Sequence, residues 1–344
     1  MNTLSQQHPL VLIVFFVLIS FMLVLDLGVL NKKSHAVSNK EAAIWTGVWI
    51  SLSMLFSAFV WWQAGFEKFA QFQSAYWIEK ALSVDNLFVF ILVFGFFKLD
   101  GKLQHKVLFW GIIGALVFRA IFIFSGVGLI KLTYLPAFNL GDWHFTMTNS
   151  ELLHPDWATK TFFRPNIILS LFGLFLVWAG IKSAFSSDED EEQDFEKSFG
   201  ARLLNRFLPV SSNYEGDKFF TIQNGKRLAT RLLLVLVVIE TTDLIFAVDS
   251  IPAIFAVAPN DPFILYTSNI FAILGLRSMY FLLANSFNMF SKLQYGLAII
   301  LSFIGVKMLI EPFVHISSTL SLSIILVVLM LSIFWSVAVS KREN

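Results

Sequence analysis

Two stretches of this chain set acids into apolar surroundings with matching spacing. EKALSVDNLFVF, from Glu79 to Phe90, carries Glu79, then Asp85 six residues on, then Asn86. ETTDLIFAVDSIPAIFA, from Glu240 to Ala256, carries Asp243, Asp249 and Ser250 at the same spacing, with Glu240 one turn earlier and Pro252 three residues after Asp249. Carboxylate, amide and hydroxyl oxygens grouped in this way suit a hard cation such as Mn²⁺, Mg²⁺ or Ca²⁺. The chain contains no cysteine, which excludes disulfides, thiolate metal sites and thiol redox centres and leaves oxygen and imidazole as its metal ligands.

The elements that position these residues are read from composition. Of 344 residues, 56% are hydrophobic and 14% charged, and the mean hydropathy is +0.71, more apolar surface than a water-soluble domain can cover. We therefore expect an all-α polytopic membrane protein of about nine transmembrane helices, near 9–30, 42–63, 73–97, 106–130, 166–185, 230–257, 262–286, 293–312 and 317–339. The first lacks a basic stretch before it and a small-residue cleavage site after it, and reads as a retained helix. Lys32, Lys33 and Lys40, then Lys98, Lys102 and Lys106, then residues 186–229, Lys292, Lys341 and Arg342 all fall on one side. The positive-inside rule makes that side the cytoplasm, with the N-terminus outside and the C-terminus inside a cell membrane. A net charge of +1 and no long basic block give no footing for nucleic acid.

The two acid motifs open an internal repeat. Each is followed by a span with an arginine after a glycine, Arg119 in GIIGALVFRA and Arg277 in FAILGLRSMY, and then by a span ending in Gly-(Ile/Val)-Lys, Gly180–Lys182 and Gly305–Lys307. Each unit is three helices, an odd number, so the second copy enters from the opposite face. Inverted repeats of this kind build secondary transporters, whose sites lie where the two halves meet. The chain then divides into two N-terminal helices (1–65), a first unit (70–185) with an extracytoplasmic insertion at about 131–165, a cytoplasmic loop (186–229), a second unit (230–312) and a final helix with its tail (317–344). The cytoplasmic loop opens on SDEDEEQDFE, a solvated acidic run, continues through amphipathic FEKSFGARLLNRFL, and carries Asn224-Gly225, a type I′ hairpin signal. His144 and His154 in the insertion read as parts of a surface loop, with metal capture at the mouth as the alternative.

Away from their ends, the predicted spans hold six acids, Asp26, Glu79, Asp85, Glu240, Asp243 and Asp249, and four bases, Lys80, Arg119, Arg277 and Lys307. At ~2.5–3.5 kcal/mol each on insertion scales, these groups would cost on the order of 30 kcal/mol facing lipid, so they must face inward and pair. Six against four leaves two formal negative charges, which one divalent cation would cancel. On a regular helix Glu79 shares a face with Asn86, and Asp243 with both Glu240 and Ser250, while Asp85 and Asp249 point about 120° from their partner acids. Pro252 is expected to relieve this by breaking the helix and freeing the Val248 carbonyl, so that backbone and side chains reach one ion. Structural ion pairing with Lys80, Arg119, Arg277 and Lys307 is the competing account of these acids. The arginines read as structural partners, Asp26 as a further candidate ligand standing outside the repeat, and Lys182 as a snorkelling surface residue.

EKALSVDNLFVF and ETTDLIFAVDSIPAIFA, with DPFILYTSNIFAILGLRSMYFLL and YGLAIILSFIGVKMLI behind them, resemble the TerC family of integral membrane proteins, and within it the Alx-type branch. The likeness spans nearly the whole chain. The family is named for tellurium resistance and is similar to a superfamily of cation and lysine exporters; its Alx-type members are linked to manganese efflux and alkaline conditions. The resemblance implies that Glu79, Asp85, Glu240, Asp243 and Asp249 are the family's intramembrane acids. The insertion of about 30 residues after the fourth span departs from the family's short outer turn.

These readings lead us to expect export of a divalent cation, Mn²⁺ by the resemblance, in exchange for protons and with no permanently bound cofactor. Besides lipid, metal and protons, a partner for the cytoplasmic loop is left unnamed. The alternative is a membrane scaffold or metal-handling protein of the tellurium-resistance type that docks others through 186–229. No cysteine, haem-ligand pair or cofactor motif supports a redox enzyme. Deleting the acidic run should separate the first two: cation export measured in cells survives the deletion if the chain is a transporter, whereas a scaffold loses its phenotype.

Overall fold

A chain this apolar must close its own backbone hydrogen bonds in lipid, and it does so as helices. In order they are α1 (Pro9–Val29), α2 (Asn39–Phe96), α3 (Gly101–Leu132), α4 (Ile167–Phe185), α5 (Phe199–Phe207), α6 (Arg231–Phe255), α7 (Pro262–Ile273), α8 (Leu276–Ala284), α9 (Leu293–Ile310) and α10 (Ser318–Glu343). The computed structural model describes residues 8–29, 38–147, 161–185, 194–211, 213–223, 225–284 and 293–343, without the side chains of residues 26–29, 85, 161, 249 and 341–343. Among the described residues six stretches are long and apolar enough to cross a bilayer: α2, α3, α4, α7 with α8, α9 and α10. α1 is apolar from Pro9 to Leu25. α6 has the length, 25 residues, but gives part of it to Glu240, Asp243 and Asp249.

Gly65 decides the course of α2. The helix has 58 residues, about 87 Å at 1.5 Å per residue, nearly three times a hydrocarbon core of about 30 Å. Gly65 adopts φ 84°, ψ 174°, a region essentially open to glycine alone. There the chain doubles back: Gln73 Nε2 donates to Ser57 Oγ at 2.6 Å, and the rings of Phe56 and Phe72 lie 5.5 Å apart. α2 is thus two antiparallel arms, 39–64 and 66–96. The second arm starts earlier than the predicted span at 73, because the turn needs one glycine and no loop.

The two predicted units interlock. The motif arm of α2 packs on α7 and α8, α3 packs on the other motif helix α6, and α4 packs on α9. The first helix of each unit therefore meets the second helix of the other, and the third helices meet each other, as an approximate two-fold relation requires. The glycines before Lys182 and Lys307 lie in this last contact. A Cβ on Gly180 would stand 2.7 Å from the Ala298 carbonyl oxygen, and one on Gly305 2.7 Å from that of Gly173, so α4 and α9 touch backbone to backbone.

Loops collect at two ends. At one, Lys68 Nζ meets Asp261 Oδ2 at 2.6 Å and Ser318 Oγ donates to Glu67 Oε1 at 2.7 Å. The expected surface loop of 131–165 is here a small sheet, β1 (Phe138–Leu140), β2 (Trp143–Met147) and β3 (Thr161–Phe163), with β2 antiparallel to β1 and parallel to β3. Phe145 and Phe162 bring its inner face to within 5.8 and 6.3 Å of Phe313. His144 Nδ1 lies 2.9 Å from Asn139 Oδ1 across the strand pair, and His154 is outside the described residues. At the opposite end the expected hairpin forms from β4 (Phe220–Gln223) and β5 (Lys226–Ala229), with Gly225 at φ +74°. Asn224 and the acidic run at 188–193 are outside the described residues. The hairpin end is moored to the membrane body by Tyr214, whose hydroxyl donates to the Phe97 carbonyl at 2.8 Å, and by Lys106, which bonds Asp217 at 3.1 Å and holds its carboxyl below the usual range. α5 lies along α6, buried through Gly200, Ala201 and Leu204.

If Gly65 alone lets α2 reverse, a Cβ there is strained whatever the space around it. Gly65→Ala should cost about 1–3 kcal/mol, seen as a lower denaturation midpoint of the purified protein in detergent, while Gly47→Ala in the first arm should leave the midpoint unchanged.

Candidate functional site

The site is built around a buried guanidinium. Arg119 sits midway along α3, 1% exposed, with no water to solvate it. Its Nη1 pairs with Oε1 of the fully buried Glu79 on the motif arm of α2. Its Nη2 stands 3.5 Å from Asp243 Oδ1 on α6. One arginine thus bridges an acid from each unit, at positions that the repeat alignment makes equivalent. Glu79 is satisfied further by Ser83 Oγ, which donates at 3.1 Å, and by Asn269 Nδ2 of α7, which donates to Oε2 at 2.9 Å. Asn269 Oδ1 in turn accepts from Arg119 Nη1 at 3.3 Å.

Asn269 was not among the residues drawn from the motifs. Its signal is faint: an amide in the run YTSNIFAIL, eight residues before Arg277. It becomes intelligible only once α7 is known to lie on the motif arm of α2, since a buried carboxylate needs its second oxygen satisfied.

Glu240 and Arg277 lie near Asp243. All three line a cavity of about 20 Å³ with Leu87, Ile112 and Ile239 among its apolar walls. That is room for one water or one bare ion. α3 makes way for Glu240 at Gly114, where a Cβ would overlap the carboxylate. Ser250 is 1% exposed, and its Oγ has no hydrogen-bond partner among the described residues, a vacancy that a buried hydroxyl ordinarily does not tolerate. Asn86 is buried but faces a different, larger cavity with Lys182 and Gln294.

Three expectations need correction. Pro252 does not unwind α6, which runs helically from Arg231 to Phe255 through Asp249 and ends three residues after the proline. A proline near a helix end removes a bond the last turn can forgo, and that suffices here. The break occurs instead in the facing span, where Leu274 and Gly275 separate α7 from α8. Lys80 is the second correction. Among the described residues its Nζ forms no salt bridge and donates instead to the Ala272 carbonyl at that break, at 3.1 Å, and a Cβ on Gly275 would stand 2.8 Å from it. Lys307 is the third: it is buried near the sheet end of α9, where its charged neighbours are Glu311 and Glu67 and not the motif acids.

The side chains of Asp26, Asp85 and Asp249 lie outside the described residues, though all three positions are helical. Among the described residues no three His, Asp or Glu converge as a metal shell. The charge inventory of the body is then clear. Glu79, Glu240 and Asp243 balance Lys80, Arg119 and Arg277, three against three, and Asp85 and Asp249 on the same two motif helices add two formal negative charges.

Removing one partner from a buried ion pair leaves the other uncompensated, at about 3–5 kcal/mol. Arg119→Gln should destabilise the protein by that much in detergent unfolding. Adding Glu79→Gln should recover a large part of the loss; if the double variant is simply the sum of the two single ones, the pairing does not hold the fold.

Comparison with known proteins agrees with this architecture. A family model described as Integral membrane protein TerC family matches residues 64–344, from the turn of α2 onward. An uncharacterised membrane protein of Myxococcus xanthus is 42% identical over 328 residues, covering 95% of this chain and 92% of its own length. Proteins carrying the name "Putative membrane-bound redox modulator Alx" are 41% identical over 348 residues in Photorhabdus laumondii, covering 98% of each chain, and 40% identical over 353 residues in Escherichia coli K12, covering 100% of this chain and 98% of the relative. No solved structure matches. Matched by the family model over most of its length and by these relatives from end to end, the chain belongs to the TerC family of integral membrane proteins.

Proposed function

We propose that this protein is a secondary transporter that exports a divalent metal cation, Mn²⁺ first among them, through the carboxylates of its two motif helices. The observation that carries the proposal is the meeting of those helices around Arg119, with Glu240 and Asp243 on a cavity of one-ion size and two further aspartates on the same pair of helices. The three described acids are offset by three bases, so the charge left for a cation is that of Asp85 and Asp249. The orphan hydroxyl of Ser250, next to Asp249, is a further oxygen donor suited to the same ion. Oxygen donors without sulfur favour Mn²⁺, Mg²⁺ or Ca²⁺ over copper and zinc.

The lysine-rich loops give the direction: the hairpin end is cytoplasmic and the sheet end outside. Moving a divalent ion outward against an inside-negative potential costs about 4.6 kcal/mol per 100 mV. Proton antiport supplies this when carboxylates take up protons as the metal leaves. Arg119 then has a defined part. It keeps Glu79 and Asp243 neutralised throughout, so that a cation does not bind them irreversibly and the exchange is confined to the remaining acids.

The relatives' name speaks of redox modulation. A chain without cysteine has no thiol couple of its own, and export of a redox-active metal changes cellular redox balance by changing how much of that metal remains.

The test is Mn²⁺ uptake into inside-out vesicles with and without an imposed pH gradient. Wild-type protein should accumulate Mn²⁺ only with the gradient, and Asp249→Asn should fall to the level of empty vesicles while inserting normally. Absence of accumulation by folded wild-type protein under every gradient would overturn the proposal.

A further inference from the structure

The larger cavity, about 330 Å³, lies between the hairpin-side ends of α4 and α9 and the two motif helices. Exposed Lys182 and partly buried Ser183 and Gln294, at the hairpin-side ends of α4 and α9, stand at its mouth, and buried Asn86 and partly buried Phe246, one from each motif helix, stand at its floor with Leu82. Its polar lining consists of two amides, a hydroxyl, an indole and one ammonium, with no carboxylate among the described residues. Without a carboxylate the lining supplies hydrogen bonds to an ion's waters but no negative charge to displace them.

The sizes of the two cavities are informative together. Six waters at about 30 Å³ each occupy roughly 180 Å³, which the larger cavity of about 330 Å³ can hold. The cavity beside Glu240 and Asp243, at about 20 Å³, cannot. Small divalent cations shed water reluctantly, so a path that ends in the small space requires a place before it where the ion waits with its shell intact.

Resting on the transport reading above, we propose that the larger cavity is a hydrated staging site: a divalent cation arrives from the hairpin end with its waters on, is held through them by Asn86, Ser183 and Gln294, and is stripped only as it passes inward.

The chain's lack of cysteine makes the test direct, since any single cysteine is the only thiol. Ser183→Cys and Leu297→Cys should react with a membrane-impermeant thiol reagent in inside-out vesicles and not from the opposite face, and Mn²⁺ should slow the reaction. Thiols that are unreactive, reactive only from the sheet end, or unprotected by Mn²⁺ overturn the staging site. The labelling and its protection require no turnover, so they decide this site even if the vesicles show no transport.

Discussion

The structure depends on the price of a charge away from water. Arg119, Glu79 and Asp243 can lie at mid-body only because the guanidinium is within reach of both acids, and that requirement ties three helices from two units to one point. The surrounding features follow from it. Ser83 and Asn269 finish the coordination of Glu79, Gly114 yields space to Glu240, and the chain break at Leu274 and Gly275 exposes a carbonyl for Lys80. Apart from Gly114, which only makes room, each supplies a polar group with a partner where the alternative is an unsatisfied one in hydrocarbon.

What could be read from the amino-acid sequence is what depends on local pattern. The apolar runs place the spans, Asn224-Gly225 places the hairpin, and the spacing of Glu79 and Asp243 anticipates that the two motif helices belong together. Arg119 as their structural partner was legible too, since a lone mid-span arginine has few other uses. Features set by what faces what were not. Asn269 looks like any amide in a greasy run until α7 is placed on α2, and Lys307 lies on a predicted span with nothing local to say that its end of α9 is the sheet end.

Pro252 shows how a local rule misleads. Proline opposes helix in the interior, but the cost depends on how many bonds lie beyond it, and α6 has only Ala253, Ile254 and Phe255 to lose. Gly65 errs in the opposite sense. It stands in a polar interval, WWQAGFEKFAQF, that invites a loop, yet the reversal takes a single residue because glycine reaches a backbone conformation closed to its neighbours.

The contact between α4 and α9 bears on how such a body can move. Where two helices touch through glycine backbone, little side-chain bulk stands between them to absorb a shift, so the pair resists sliding and tends to act as one rod. That rod takes one helix from each unit. If parts of the body tilt relative to one another in transport, they are then not the two sequence repeats but this shared rod and the helices leaning on it, and the boundary of motion cuts across the boundary of duplication.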